Sequence, residues 1–462
     1  MLKTIIVKEL RILFRQRTVF IALLVLLLMM IMALITSQHS YRLLRKTQLE
    51  ADKQFRHEWE TLDVSNPHGA AHYGTYIFKP PSALSSFDKG IEYFTGNVYR
   101  IEAHKQHGFQ APPVPLSGNY LRFGHLTVAV VLQLFLPLLL IFLCFDLYTG
   151  EREQGTLPML RLQGAGTDVL LAGKALAAVL LAIFFLCWLL LLFFADTDIR
   201  QAGIVTLSAI LLAYILYAAF FALLGVAASA AFRQSGTVLM FLLGTWLLFI
   251  ILLPRIMASA AERNAPLPSQ FALQKQMSDA EKFGLDGKSP RALRVKQFND
   301  SLLRHYHADS LKSLPVNADA LLMQAGEDYN ERIYEKYMGR IDSLIVQQNR
   351  YQLYGRFLDP FIALREISMA LAGTDYAHTI RFQLAARQYR NDFIRRLNGK
   401  LAEGEIVSAD FYRQMPPFTY SPLAITLVLQ ELLPAYTALL LWLCIPVAWL
   451  LFLHHRKQSS CQ

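Results

Sequence analysis

Six long apolar runs constrain this chain more than any other feature. A helix needs about 20 residues to cross the hydrocarbon of a bilayer, with about 17 as the lower limit. The runs at 19–35, 126–145, 175–195, 204–232, 237–253 and 435–453 all reach that length, with Gln133 and Pro137 as minor blemishes in the second. Charged residues make up 17% of the 462 and hydrophobic ones 54%, giving a mean hydropathy of +0.31. Soluble proteins carry about 25% charged residues, so the chain reads as an all-α polytopic membrane protein with six transmembrane helices. The first run has no polar residue, and at roughly 0.3–0.6 kcal/mol per apolar residue its insertion is favourable by several kcal/mol. It is too long for the core of a secretory signal, and Thr36, Ser37, Gln38 and His39 follow it instead of a small-residue cleavage site, so an uncleaved span is expected.

An even number of spans puts both termini on one side. Lys3, Lys8, Arg11, Arg15 and Arg17 precede the first span, and Arg456 and Lys457 follow the last, which marks that side as cytoplasmic. Arg42, Arg45 and Lys46 blur the contrast from the other side. The net charge of +10 is dispersed along the chain, which points to anionic lipid headgroups and away from nucleic acid. The polar remainder falls into two exported domains, 37–125 between helices 1 and 2 and 258–420 between helices 5 and 6. Cys144, Cys187 and Cys444 lie in apolar runs and Cys461 is next to last, so no disulfide framework is implied for either domain. The first domain is rich in aromatic residues and reads as folded and mixed; the second is mainly helical. No internal repeat is visible.

Within the second domain Leu322, Ala325, Tyr329, Ile333, Tyr337, Ile341 and Ile345 recur at helical spacing after Pro315 and Asn317, which predicts one long helix ending near Phe357. Asp359 and Pro360 form a cap and first turn for a second helix that stops at Gly373. A third helix is expected to end at Asn398 and Gly399. The apolar stretch 421–434 is too short to span and reads as a re-entrant or interfacial helix, with Gln430 and Glu431 as a candidate gate.

The loop after the second run carries Glu151, Arg152, Glu153, Gln154, Gly155, Thr156 and Leu157. This segment resembles the Glu-Arg-Glu-x-Gly-Thr-Leu motif of type-2 ABC transporter permeases, where it forms the coupling helix between spans 2 and 3. The amphipathic residues 1–18, with Ile5, Lys8, Glu9, Arg11 and Leu13, resemble the same family's elbow helix, and Gly173 with Lys174 at the mouth of the third span is also similar. The likeness covers the membrane part end to end. It implies helix 1 at 19–36, helix 2 at 126–145, a cytoplasmic coupling loop at 146–174, helices 3–5 within 175–257, helix 6 at 435–453 and a cytoplasmic tail at 454–462. The large first insertion, including 68–74 and 87–90, and residues 372–375 of the second place it near the subfamily with large extracytoplasmic domains.

That resemblance implies a non-catalytic permease subunit of an exporter in a bacterial inner membrane, working as a dimer with a second copy or a related permease. ATP and Mg would be bound by a separate ABC ATPase; a periplasmic partner gripped by the exported domains belongs to the transmitter reading below. The nearest thing to a phosphate loop here, Gly287-Lys288-Ser289, has Lys282 where the motif needs its first glycine. Small residues Ala222, Gly225, Ala228 and Ser229 on the fourth span offer a close helix contact.

Two other readings compete. His68 and His72 are four apart, and His104 and His107 three apart, spacings that suit a transition metal on one side of a helix. Gly69 stands where a zinc-protease motif needs Glu, and Asn66, Pro67, Gly69 and Gly74 favour a turn over a helix. Alternatively the chain is a scaffold or mechanical transmitter whose spans relay the motion of an ATPase to the exported domains.

Overall fold

The structure, a computed structural model, describes residues 1–106 and 126–459. Among them, six helices are long and apolar enough to cross a membrane: Arg17–Glu60, Val128–Glu153, Thr167–Ala195, Ile204–Ala231, Ser235–Asn264 and Ile425–Arg456. These are the first to sixth spans below. An amino-terminal helix, Leu2–Arg15, precedes them and turns Ile5, Glu9 and Leu13 inward at a spacing of four. Gln16 is extended, with φ −76° and ψ 120°, and lets the chain change direction before the first span begins.

The second and fourth spans form the interior, whereas the first, fifth and sixth leave most of their surface uncovered. A Cβ on Gly225 would stand 2.6 Å from Cys144 Cβ, so glycine lets the fourth span touch the end of the second. Pro137 lacks the N–H that would bond to the carbonyl of Gln133 one turn earlier. Tyr217 on the fourth span donates its hydroxyl to that carbonyl at 3.1 Å. The Gln133 side chain donates to Tyr214 Oη at 3.1 Å, Tyr214 Oη lies 3.1 Å from Ser368 Oγ, and Ser368 donates to Asp88 at 2.5 Å. The polar blemish of the second run thus ties both insertions to the helix interior.

The first span continues far beyond its apolar run. Forty-four helical residues make a rod about 66 Å long at about 1.5 Å per residue, roughly twice the ~30 Å of a hydrocarbon core. From Thr36 to Asn66 the chain has no Gly or Pro and is rich in good helix formers, so nothing ends the helix at the apolar boundary. Both insertions pack on its upper part. Gln48 donates to Lys79 O at 3.2 Å, Arg56 donates to Met415 O at 3.0 Å, and Trp59 sits 4.8 Å from the Phe393 ring and 4.9 Å from Tyr412. Arg42 and Arg45 are held by the connection between the third and fourth spans, in ion pairs with Asp196 and Asp198 at 3.0–3.2 Å.

The first insertion contains the helix Pro67–Tyr73 and a hairpin of β1 (Thr75–Phe78) and β2 (Val98–Ile101), antiparallel with Ile77 opposite Tyr99. In the second insertion the long helix runs Ala318–Tyr354, capped by Asn317, whose side chain accepts from Ala320 N at 3.1 Å. Asp359 caps Pro360–Ala372, and Gly373 at φ +69° ends it. The next helix, Tyr376–Ala402, runs past Asn398 and Gly399; Asn398 instead donates sideways to Gln324 at 3.0 Å, and Gly404 at φ +74° follows the true end. The stretch 421–434 is not a separate re-entrant or interfacial helix. From Ile425 it is continuous with the sixth span through Ser459, because Val428, Leu432, Ala435 and Leu439 form one unbroken buried stripe.

Candidate functional site

Two clusters of polar residues stand out, one at each end of the molecule. At the end bearing the amino terminus, the second span, Val128–Glu153, breaks its regular helix after Cys144 and finishes in a short helix, Thr149–Glu153. Gly155 takes φ +72°, a left-handed conformation that glycine adopts without strain, and redirects the chain into the helix Leu157–Leu162. Leu157 is buried among Ile5, Tyr148, Leu170 and Ala230. The Ser229 hydroxyl accepts from the Tyr148 and Thr149 amides at 2.9 and 3.1 Å and fixes the loop to the fourth span.

Three consecutive charged residues of this loop then reach different helices. Glu151 accepts from Lys8 of the amino-terminal helix and from the Thr156 hydroxyl, and lies 3.5 Å from Lys174 of the third span. Arg152 donates to Phe232 O at 2.5 Å at the end of the fourth span and lies over the Tyr148 ring. Glu153 accepts from the Ser235 amide at 2.7 Å, at the start of the fifth span. Lys174 is fully buried and pairs with Glu9 at 2.6 Å; Glu9 is 3% exposed and lies 3.2 Å from Lys8. Two carboxylates and two ammonium groups therefore balance in a cluster, buried at Glu9 and Lys174 and partly exposed at Lys8, that locks the amino-terminal helix, the loop and the third span together. A Cβ on Gly173 would stand 2.6 Å from Ile5 Cγ2, so glycine is what lets the two helices approach closely enough for that pairing. Arg11 is exposed and takes no part in the cluster.

The sequence marks Lys174 beside Gly173 and Ser229 as a small contact residue, but not their pairing with Glu9 and with the loop amides, and nothing in it marks Ser235. A signal for Lys174 did exist, since it is the only charge between Asp168 and Asp196 in an otherwise apolar stretch. Gln430 and Glu431 lie apart from this cluster, exposed near the start of the sixth span. Glu431 accepts from Arg381 at 3.1 Å and lines a cavity of about 290 Å³ with Arg365, Glu366, Asp375 and His378.

The second cluster is histidine. Three of the residues that favour a turn around His68 prove to be the boundaries of a helix, with Gly69 inside it: Asn66 caps it by accepting from the His68 amide at 2.8 Å, Pro67 opens it and Gly74 at φ +66° closes it. A Cβ on Gly74 would fall 2.0 Å from Ile101 O, so only glycine allows the helix to end against β2. His68 and His72 share one face, with their Nε2 atoms 3.1 Å apart. His104 follows β2 and joins them, its ring centroid 5.2 and 5.1 Å from theirs. The Ala103 amide donates to Ala71 O at 2.9 Å and sets that approach. Burial, followed by the charges of His72 and His104, holds the His68 imidazole below its ordinary pKa. His107 lies outside the described residues.

Comparison with known proteins identifies the scaffold. The chain matches the ABC-2 family transporter protein over residues 3–283 and a domain of unknown function, DUF3526, over residues 270–421. No curated protein matches. The first match runs from the amino-terminal helix through all of the first five spans, and the second covers most of the insertion before the sixth. More than half of the chain thus carries one family's pattern, and this multi-pass membrane protein belongs to the ABC-2 family of transporter proteins.

Proposed function

We propose that this chain is the membrane-spanning subunit of an ATP-driven exporter, in which a separate ATPase pushes on the 146–174 loop and two such subunits line the pathway. Membership of the ABC-2 family implies association with an ABC ATPase, and such permeases are typically non-catalytic. The observation that carries the coupling reading is the distribution of Glu151, Arg152 and Glu153 over the amino-terminal helix and the third, fourth and fifth spans. A displacement of the short helix Leu157–Leu162 reaches all of them at once, which is how a small shift at one site becomes a rearrangement of packed helices. That helix presents Met159 and Leu162, 62% and 88% exposed, as an apolar face for the ATPase. On this reading the termini and the loop are cytoplasmic, both insertions are exported, and ATP with Mg binds the partner. The uncovered faces of the first, fifth and sixth spans meet lipid and the second subunit. Glu431, paired with Arg381 at the lip of the outer cavity, acts as a gate that moves with the sixth span.

A mechanical transmitter is the second reading, favoured by the unbroken 44-residue helix that joins the membrane to both insertions. Co-purification with the ATPase from native membrane, followed by reconstitution into sealed vesicles, tests both. Met159→Asp with Leu162→Asp is expected to abolish ATPase recovery and to cut stimulated hydrolysis at least tenfold while leaving thermal stability unchanged. Full ATPase recovery with that variant overturns the docking assignment. Normal hydrolysis that moves no cargo, whether lipid, peptide or small molecule, but depends on the insertions decides for transmission.

A further inference from the structure

We propose that His68, His72 and His104 are the protein ligands of a divalent transition-metal site, with Glu327 as the residue that positions the third ligand. One ligand atom from each histidine lies within 4.8 Å of the other two. Two nitrogens bound to the same zinc at 2.0–2.1 Å in tetrahedral geometry stand about 3.3 Å apart, and the Nε2 atoms of His68 and His72 are separated by 3.1 Å. Two imidazole nitrogens that face one another share a single proton; a metal ion uses both lone pairs. Imidazole is a ligand for zinc, copper, nickel and iron alike, and a three-histidine set leaves at least one coordination position for water or an incoming donor. His72 and His104 are exposed, so that position faces solvent. Beside it a cleft of about 250 Å³ is lined by His104, Gln106, Glu281, Asn330, Tyr334 and Arg390.

The third histidine is held by a built arrangement. His104 adopts φ +63°, a left-handed conformation rare for a residue with a Cβ. Strain of this kind persists where the surroundings over-determine it, and it concentrates at ligand sites. Glu327, 4% exposed on the long helix of the second insertion, accepts from the His104 amide at 2.6 Å and lies 2.9 Å from its Nδ1. Its other oxygen accepts from Arg390 at 2.8 Å, and Arg390 also donates to Glu102 O at 3.0 Å. A carboxylate on Nδ1 directs Nε2 toward a metal and fixes the ring, the arrangement found behind most metal-bound histidines. Ligands come from the first insertion and the positioning carboxylate from the second, so the ion would also join the two.

The test uses the full-length chain in mild detergent, purified with a tag free of histidine, stripped with a chelator and titrated with Zn(II) and then Co(II). The expected result is one Zn(II) per chain and, with Co(II), the intense visible bands of a four-coordinate site. His72→Ala and His104→Ala each weaken binding at least tenfold, and Glu327→Gln weakens it about 10–100-fold. His39→Ala, far from the cluster, leaves it unchanged. Because His72 is exposed, its variant is expected to keep the wild-type unfolding temperature, which is measured alongside. Cu(II) bound more tightly by the same three residues supports the site and changes the ion. Zn(II) uptake equal to that of a His68→Ala, His72→Ala, His104→Ala triple variant overturns the proposal. This readout is made on the chain alone, so its failure is separate from any failure of the permease reading.

Discussion

At the scale of single residues, Lys174 shows how a charge is kept inside an apolar helix. Its ammonium group is fully buried and is satisfied by Glu9 at 2.6 Å, with Glu151 at 3.5 Å. Removing one member of a buried pair outright costs about 3–5 kcal/mol. Loss of Lys174 costs less than that, because Glu9 and Glu151 are left sharing Lys8 alone, whereas replacing both members of a pair with well-packed apolar residues is often nearly neutral. Lys174→Met is therefore expected to lower the unfolding temperature and the yield of folded protein in detergent, and Lys174→Met with Glu9→Leu to recover most of the loss. A single variant as stable as the wild type would remove the cluster from the account of stability. The lone lysine was visible in the sequence as an anomaly, but its partner was not, because 165 positions separate the two and only the folded helix crossing joins them. The three histidines divide in the same way. His68 and His72 announce themselves by spacing, whereas His104 reaches them only through the hairpin and the Ala103 amide, and the positioning Glu327 comes from a helix more than 200 residues away.

At the scale of elements, hydropathy located the spans but not where their helices stop. An apolar run ends where the hydrocarbon would end, while the helix Arg17–Glu60 runs on for about 25 residues more by sequence count and ends at Thr61, six positions before Pro67. Likewise Pro67 and Gly74 read locally as turn residues, and the structure uses them as the first turn and the stop of a helix. The second span contains a more exact compensation. Pro137 frees the carbonyl of Gln133, and Tyr217 occupies it from the neighbouring span. Tyr217→Phe leaves that buried acceptor unsatisfied, at about 1–3 kcal/mol. With Pro137→Ala in the background, the restored amide reaches the same carbonyl, so the tyrosine substitution costs less. A double-mutant cycle of thermal unfolding measures the difference. Equal losses in both backgrounds would show that the hydroxyl does nothing for the proline break.

At the scale of the whole molecule, the two clusters lie at opposite ends of a six-span body, and the orientation proposed for it rests on the charge pattern. Lys3, Lys8, Arg11, Arg15 and Arg17 gather at the loop end, while Arg42 and Arg45, which blur the bias in sequence, are held locally by Asp196 and Asp198. Tertiary pairing accounts for their presence at the far end, and the proposed orientation then rests on the amino-terminal cations. In this orientation the loop segment around Met159 faces the cytoplasm and the turn at Lys288 in the second insertion faces outward. In a background with Cys144, Cys187, Cys444 and Cys461 replaced by Ser or Ala, Lys288→Cys is expected to react with a membrane-impermeant maleimide on cells whose outer barrier has been opened. Met159→Cys should react only after the inner membrane itself is broken, since that membrane shields it. The reverse pattern would invert the molecule, put the histidine cluster beside ATP and leave the exposed Met159–Leu162 face without an ATPase to meet, so the coupling and export readings both depend on this one labelling result.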